Sequence, residues 1–492
     1  MSSSRTTDST EEFAAAALPA EVVSEREPPV RRKPPDQGEV DILFLPPTHQ
    51  PAAEATLPPP KVVAAEAIEP VVAERVPQSW PVYLWWLLCK TLEWLFGLTS
   101  VIGCLAVLSA VPLVQFVSLG YLLEASARVA RSGKLRHGFI DMPKFARIGS
   151  LVFGTWMMLL PLRYLSTLAQ DAHLVDPGSA SARAWRVGQL ICTALMLGHI
   201  LLAWYSGGKL RHFFWPFLAP FQLGAKLLFG TIVGPIVRPL VEAISPRLAA
   251  DLYIERPLSA WFPPAILWAG LVRGKMYRRT RDAVWDFVAA LRLPQYFWLG
   301  VRGFIGALTW LFIPVLLLMG GTMLPNGGLA FVSGWLGALL LGIVVIYLPF
   351  AQTHMAVQNR FVEIYNLGEI RRQFSRAPIA WWCALAITLL SAIPLYLLTI
   401  EATQREVTYL INLFFVAFIY PARLLLGWAM GRSLHHHKPR FVLFGIAARL
   451  AAIPVVVGYL IILWASQYTA WFGPFSLMVQ HAFMVPVPFL GV

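Results

Sequence analysis

The chain has 492 residues, of which 57% are hydrophobic and 14% charged, with a mean hydropathy of +0.60 and a formal net charge of +13. That composition excludes an ordinary soluble domain and points to a chain built into a bilayer. Nor is the basic excess a nucleic-acid signature, because the charges lie between apolar runs, where they face anionic lipid headgroups.

Residues 1–79 depart from this pattern. They hold 7 Lys or Arg against 13 Asp or Glu, a net of −6, and subtracting it from +13 leaves +19 on residues 80–492. Prolines cluster at Pro28-Pro29, Pro34-Pro35, Pro46-Pro47 and Pro58-Pro59-Pro60. Such a segment buries too little apolar surface to offset its ordering entropy, so it is expected to be a disordered acidic tail. No basic region followed by an apolar one opens the chain, so a cleavable signal peptide is not expected.

Spanning hydrocarbon takes about 20 mostly apolar residues. Eight segments qualify: 95–118, 148–169, 187–206, 298–320, 328–350, 379–400, 408–430 and 441–465. Several carry proline (Pro112, Pro161, Pro314, Pro349, Pro394, Pro421 and Pro454), tolerated in membranes because neighbouring groups satisfy the freed carbonyl. The expected organisation is a tail over 1–79, a first transmembrane part over 80–206 with three spans, an interfacial segment over 207–297, and a second transmembrane part over 298–492 with five.

Loops rich and poor in Lys and Arg alternate along the chain, which by the positive-inside rule makes the loop holding Arg128, Arg131, Lys134, Arg136, Lys144 and Arg147 cytoplasmic. Glu124, Arg128 and Arg131 fall at i, i+4 and i+7, and Gly133 can end their helix. This predicts a helix leaving the bilayer and lying on its cytoplasmic surface, with an ordinary solvated extension as the alternative. Eight spans place both termini outside. A hairpin over 81–123 turning near Gly97–Ser100 would instead give nine spans and a cytoplasmic tail, but it would draw Lys90 and Glu93 into the membrane, so eight is preferred. Trp80, Trp85, Trp86 and Trp94 read as an interfacial aromatic belt.

In the interfacial segment, "FFWPFLAPFQLGAKLLFGTIVGPIVRPL" is apolar but broken by proline and glycine, which suits an in-plane or re-entrant element. Farther on, "RGKMYRRTRDAVWDFVAALRLP" puts Tyr277, Val284, Val288 and Leu291 on one helical side, with Arg278 spaced to pair with Asp282. Arg128, Arg131, Lys134, Arg278 and Arg279 together read as a membrane-facing basic rim.

Candidate chemistry is sparse. Cys89, Cys104, Cys192 and Cys383 lie in or beside apolar stretches without CxxC spacing and read as buried thiols. Arg163, Arg302, Arg423, Arg449 and His199 fall within spans, where charge is costly, but each arginine lies within about nine residues of a membrane end and can snorkel or pair. No carboxylate marks the centre of a span. Three successive residues point in three directions on a helix, so His435-His436-His437 reads as basic rim and no metal or cofactor is expected. Gly207-Gly208-Lys209 lacks phosphate-loop spacing, whereas Gly427 with Gly431, and Gly334 with Ala338 and Gly342, are small-residue helix-packing faces.

The best candidate site lies in "AQTHMAVQNRFVEIYNLGEIRRQF", where Gln352, Asn359, Glu363 and Asn366 follow helical spacing with His354 and Gln358 beside them. His354, Gln358, Asn359 and Glu363 form a polar stripe, able to line a cavity or bind a headgroup, or serving as the wet side of a cytoplasmic helix.

Gly120-Tyr121, Gly133 and Met142-Pro143 resemble the outline of a prokaryotic multi-pass membrane family of unknown function, in which Gly-Tyr leads through a basic helix to a proline turn. Lys144 stands where that family has an acid. "NRFVEIYNLGEI" and "RAPIAWW" resemble its later cytoplasmic helix. The resemblance covers under a fifth of the chain and implies a helical membrane protein without an assigned activity. The reading is an all-α polytopic bundle of about eight spans with a disordered tail. Its expected role is non-enzymatic, organising the membrane or recruiting protein partners at a face rich in anionic headgroups. A transporter or lipid-handling protein using the polar stripe is the alternative.

Overall fold

The structure, a computed structural model, describes residues 79–225, 228, 233–248, 262–274, 276–401, 408–436, 438–466, 468 and 477; the tail expected over 1–79 lies outside them apart from Ser79. Every described element is helical. In chain order they are α1 (Trp80–Ala110), α2 (Gln115–Ser132), α3 (Met142–Val175), α4 (Ala180–Tyr205), α5 (Leu210–Phe213), α6 (Trp215–Ala225), α7 (Gly234–Ile244) and α8 (Pro263–Arg273). There follow α9 (Met276–Ala290), α10 (Leu293–Met323), α11 (Gly327–Gln358), α12 (Leu367–Arg376), α13 (Pro378–Glu401), α14 (Thr408–His435) and α15 (Val442–Ser466). Among the described residues, 7 helices are long and apolar enough to cross a membrane, or 8 when α12 and α13, bent by 110°, count as one span. The protein is an all-α multi-pass membrane bundle.

Local chemistry sets the ends of these helices. Ser179 caps α4 by accepting from the Ala182 N–H, Asn326 caps α11 through the Gly328 and Leu329 N–H groups, and Asn366 caps α12 through Glu369. Gly133 stops α2 in the left-handed region at φ 70°, as its sequence suggested. Pro161, Pro314, Pro349, Pro394, Pro421 and Pro454 sit inside helices. Pro112 is different: it lies in the break between α1 and α2.

That break revises the first predicted span. Leu113 has φ 66°, and the Ser118 hydroxyl donates to the Leu105 carbonyl at 2.9 Å, so α2 folds back on α1. Residues 95–118 are therefore a helical hairpin turning at 111–114, and not one span or a turn near Gly97–Ser100. Meanwhile α1 runs in the same direction as α3: Trp94 meets Phe139 edge-on at 5.1 Å, Gly97 faces Met142, and Ser100 faces Gly149. The start of α1, the end of α2 and the start of α3 thus share one end of the bundle.

The predicted surface helix is also revised. From Gln115 to Ala127 every residue of α2 is buried. It is a central helix, packed on α1, α10, α11 and α14. Two glycines permit this: a side-chain carbon on Gly120 would collide with the Tyr296 carbonyl, and one on Gly300 with the Phe116 carbonyl. Gly427 and Gly431 likewise bring α14 against the backbone of Ser126 and Ala130, as their spacing predicted. In lipid there is little hydrophobic drive between helices, so such close backbone approach and its dispersion contacts carry the association.

Aligning Ser126 with Gly427 places Gln115 roughly 16 Å farther along α14, whereas α14 itself continues roughly 28 Å from Gly427 to Thr408. The α1–α2 turn therefore lies roughly two-thirds of the way along α14 from its His435 end.

The interfacial segment forms short helices, α5 to α9, that leave Phe217, Phe221, Ile236, Ile244, Tyr277, Val284 and Val288 exposed. Asp282 pairs with Arg281 at 2.8 Å, not with Arg278 as the spacing had suggested. The four cysteines are free thiols, and none is buried as expected: Cys89 is exposed and Cys104, Cys192 and Cys383 are half-buried.

His212 in α5 is buried where that helix packs on α3 and α4. Burial first, then the charges of Arg211, Lys209 and Arg147, push its pKa from 6.5 down to about 4. Between those values the folded imidazole is neutral while the unfolded one is protonated, so its stabilisation is present above 6.5 and lost as pH falls towards 4. Unfolding in detergent should therefore become easier by about 2–3 kcal/mol between neutral pH and about pH 4.5, and His212→Gln should remove most of that dependence.

A candidate polar layer at the basic end of the bundle

The apolar run of α11 ends at Gln352-Thr353-His354, and all three side chains are buried, because α2, α10, α12 and α14 close around them. The Gln352 amide donates to the Gly303 carbonyl at 3.1 Å and accepts from Arg423 Nη2 at 2.8 Å. The Thr353 hydroxyl returns to the Pro349 carbonyl at 3.0 Å. One turn of 3₁₀ helix, Phe361–Tyr365, and then α12 fold back over His354. Glu363 thereby comes within 3.4 Å of His354 Nε2, and Gln373 within 3.5 Å of Nδ1. The Glu363 carboxyl is held below its ordinary 4.5 by the Asn366 amide and, less strongly, by His354.

The predicted stripe is therefore divided. His354 and Glu363 meet through a turn, not through helical spacing, because Asn359 ends α11 with φ 54°. Asn359 accepts from Arg302 through both its backbone and side-chain oxygens at 2.9 Å. Gln358 is exposed at the last position of α11.

The basic-rim residues fall in two places. Glu124 is buried, and its Oε1 accepts from Arg128 at 3.0 Å and from Arg131 at 2.9 Å. Arg131 also donates to the Val357 carbonyl at 3.3 Å, tying α2 to the end of α11. Lys134 follows the end of α2 and is exposed, whereas Arg278 and Arg279 are exposed on α9.

Of the two expectations for Arg423, snorkelling or structural pairing, the structure excludes the first and gives the second in part, through Gln352. Arg423 is only 2% exposed, and among the described residues no carboxylate lies within ion-pair distance; its Nη1 has no hydrogen-bond partner. Three turns away on α14, Asn412 is fully buried with neither amide atom partnered. Sequence position alone hid both, since distance to a helix end does not tell which face packs inward. The other polar span residues behave ordinarily: Arg163 is exposed, Arg449 lies 5.4 Å over Phe374, and His199 Nε2 lies 2.6 Å from the Phe213 carbonyl. His435 Nδ1 lies 2.7 Å from the Gly431 carbonyl, and His436 follows at the basic end; His437 lies outside the described residues.

Chemically, the layer offers amides, one imidazole, one carboxylate and a guanidinium with a free arm. Gln352 and Arg423 bond one another, whereas His354 Nε2, Gln373 Oε1 and Arg423 Nη1 have no hydrogen-bond partner. Comparison with family models, curated proteins and solved structures found no match to this chain.

Proposed function

We propose that this is a non-enzymatic integral membrane protein that recruits protein partners to a membrane surface carrying anionic lipid. The supporting observation is the α1–α2 hairpin, which sets the start of α1 at the same end as Ser132 and Met142. By the positive-inside rule that end is cytoplasmic. In this reading the hairpin enters and leaves from that side, the acidic Pro-rich segment 1–79 is a cytoplasmic recruiting arm, and the exposed apolar sides of α5 to α9 rest on the headgroup layer. Deleting residues 1–79 should remove a specific set of co-purifying proteins while the membrane body still folds; an unchanged set would contradict recruitment.

Arg423 and Asn412 favour a second reading, an anion or lipid-handling protein, because unpaired polar groups inside a bundle mark pathways. Reconstituted vesicles should then show anion flux that Arg423→Gln abolishes. Equal flux in the substituted protein and in protein-free vesicles would remove this reading.

A further inference from the structure

Between the α12–α13 bend, the end of α14 and the start of α15 lies a pocket of about 240 Å³. Arg376, Arg432, His436 and Arg440 contribute to its lining, and no lining residue is acidic. Among the described residues none of these arginines has an ion-pair partner. Its other walls are apolar: Cys383 and Trp428, half-buried, and Ile379 and Phe444, exposed. The site is built, since Arg432 lies 5.2 Å over the Trp428 ring and the Arg440 backbone N–H donates to the Ser375 carbonyl at 2.9 Å, fixing the start of α15 against α12. The first residues of α13 also line it, which turns the positive end of that helix dipole towards the pocket.

We propose that this pocket binds the phosphate headgroup of an anionic membrane lipid. Three guanidiniums without a counter-charge, Arg432 and Arg440 exposed and Arg376 half-buried, converge on one pocket and attract an anion there. Guanidinium forks match phosphate oxygens in geometry as well as charge. The basic groups sit where helices end and the apolar walls continue along exposed helix surface, so one ligand must offer a charged head and an apolar body. A lipid phosphodiester has both, whereas a free anion would leave the apolar side unused. The assignment deepens the anionic-surface part of the proposed function by naming where one lipid is held, and it is read on purified protein, apart from any recruited partner.

The test uses the full chain in phosphatidylcholine bilayers containing a minor fraction of spin-labelled phosphatidylglycerol. Selectivity for the anionic lipid should fall roughly a hundredfold when Arg376, Arg432 and Arg440 are all changed to Gln, the scale expected for removing three near-surface charges at about 1 kcal/mol each. The equal charge loss in Arg278→Gln with Arg279→Gln and Arg281→Gln, on the exposed rim of α9 away from the pocket, should lower it severalfold at most, the part due to diffuse attraction alone. Equal effects of the two variants would overturn the proposal in favour of diffuse attraction, and displacement of the lipid by inorganic phosphate at constant ionic strength would overturn it in favour of a free-anion site. A second measurement needs no substitution of the arginines: alkylation of Cys383 should slow several-fold in phosphatidylglycerol relative to phosphatidylcholine. An unchanged rate would count against the pocket even if the triple variant failed to fold.

Discussion

Replacing Gly120 or Gly300 with leucine should abolish assembly of the bundle, and alanine at either position should already lower stability by about 3 kcal/mol or more, at or beyond the upper end of ordinary overpacking costs. The reason is that the obstruction is backbone. A side-chain carbon on Gly120 meets the Tyr296 carbonyl, and one on Gly300 meets the Phe116 carbonyl, so neither can be relieved by a rotamer change. Only separation of α2 from α10 makes room, and that would open the centre of the molecule, where Phe116, Leu119 and Leu123 pack with Leu299 and Ala307. Gly458→Ala is the control, because nothing lies within 4 Å of a carbon added there. Thermal unfolding in detergent should leave that variant unchanged. Equal behaviour of the Gly120→Ala and Gly458→Ala proteins would mean that α2 is not a central helix.

The second large effect has the opposite sign. Arg423→Met is expected to stabilise the isolated protein by about 1 kcal/mol or more, because removing an unpaired buried charge outweighs the cost of leaving Gln352 without its donor. A guanidinium that is only 2% exposed bears a heavy desolvation cost, and here it recovers one hydrogen bond, to Gln352, at 2.8 Å. Methionine fills much of the same volume and removes that cost, although it takes from Gln352 its Arg423 donor. The expected result is a higher unfolding temperature in detergent. A loss of several kcal/mol instead would show that Arg423 is paired in solution with an anion or a partner group.

These two sites also show what the sequence made legible. Mean hydropathy and the Lys and Arg alternation identified the long helices, because lipid demands about 20 apolar residues whatever the helices pack against. They also identified Gly133 as a helix end and Gly427 with Gly431 as a packing face. What they missed depends on contacts distant in the chain. Nothing local distinguishes Gly120 and Gly300 as a crossing point, since each becomes indispensable only through the other's helix. The sequence leaves open whether Arg423 snorkels or pairs, because its distance to the helix end is visible there while its inward face is not. The polar stripe was extended as one helix past Asn359, although asparagine adopts the left-handed conformation readily and ends helices there. The pairing of His354 with Glu363 followed from that turn and not from spacing.

The turn at Pro112 matters most for function, because it decides on which side the tail emerges. A single span over 95–118 sends residues 1–79 to the face opposite Ser132, whereas a hairpin returns them to the same face. The direct test places single cysteines at Ser9, Ser132 or Ser179 in a chain lacking its native cysteines and probes intact cells with a membrane-impermeant thiol reagent. Protection of Ser9→Cys and Ser132→Cys together with labelling of Ser179→Cys, in the loop between α3 and α4, is the predicted result. Labelling of Ser9→Cys while Ser132→Cys stays protected would contradict the hairpin and, with it, the cytoplasmic recruiting arm.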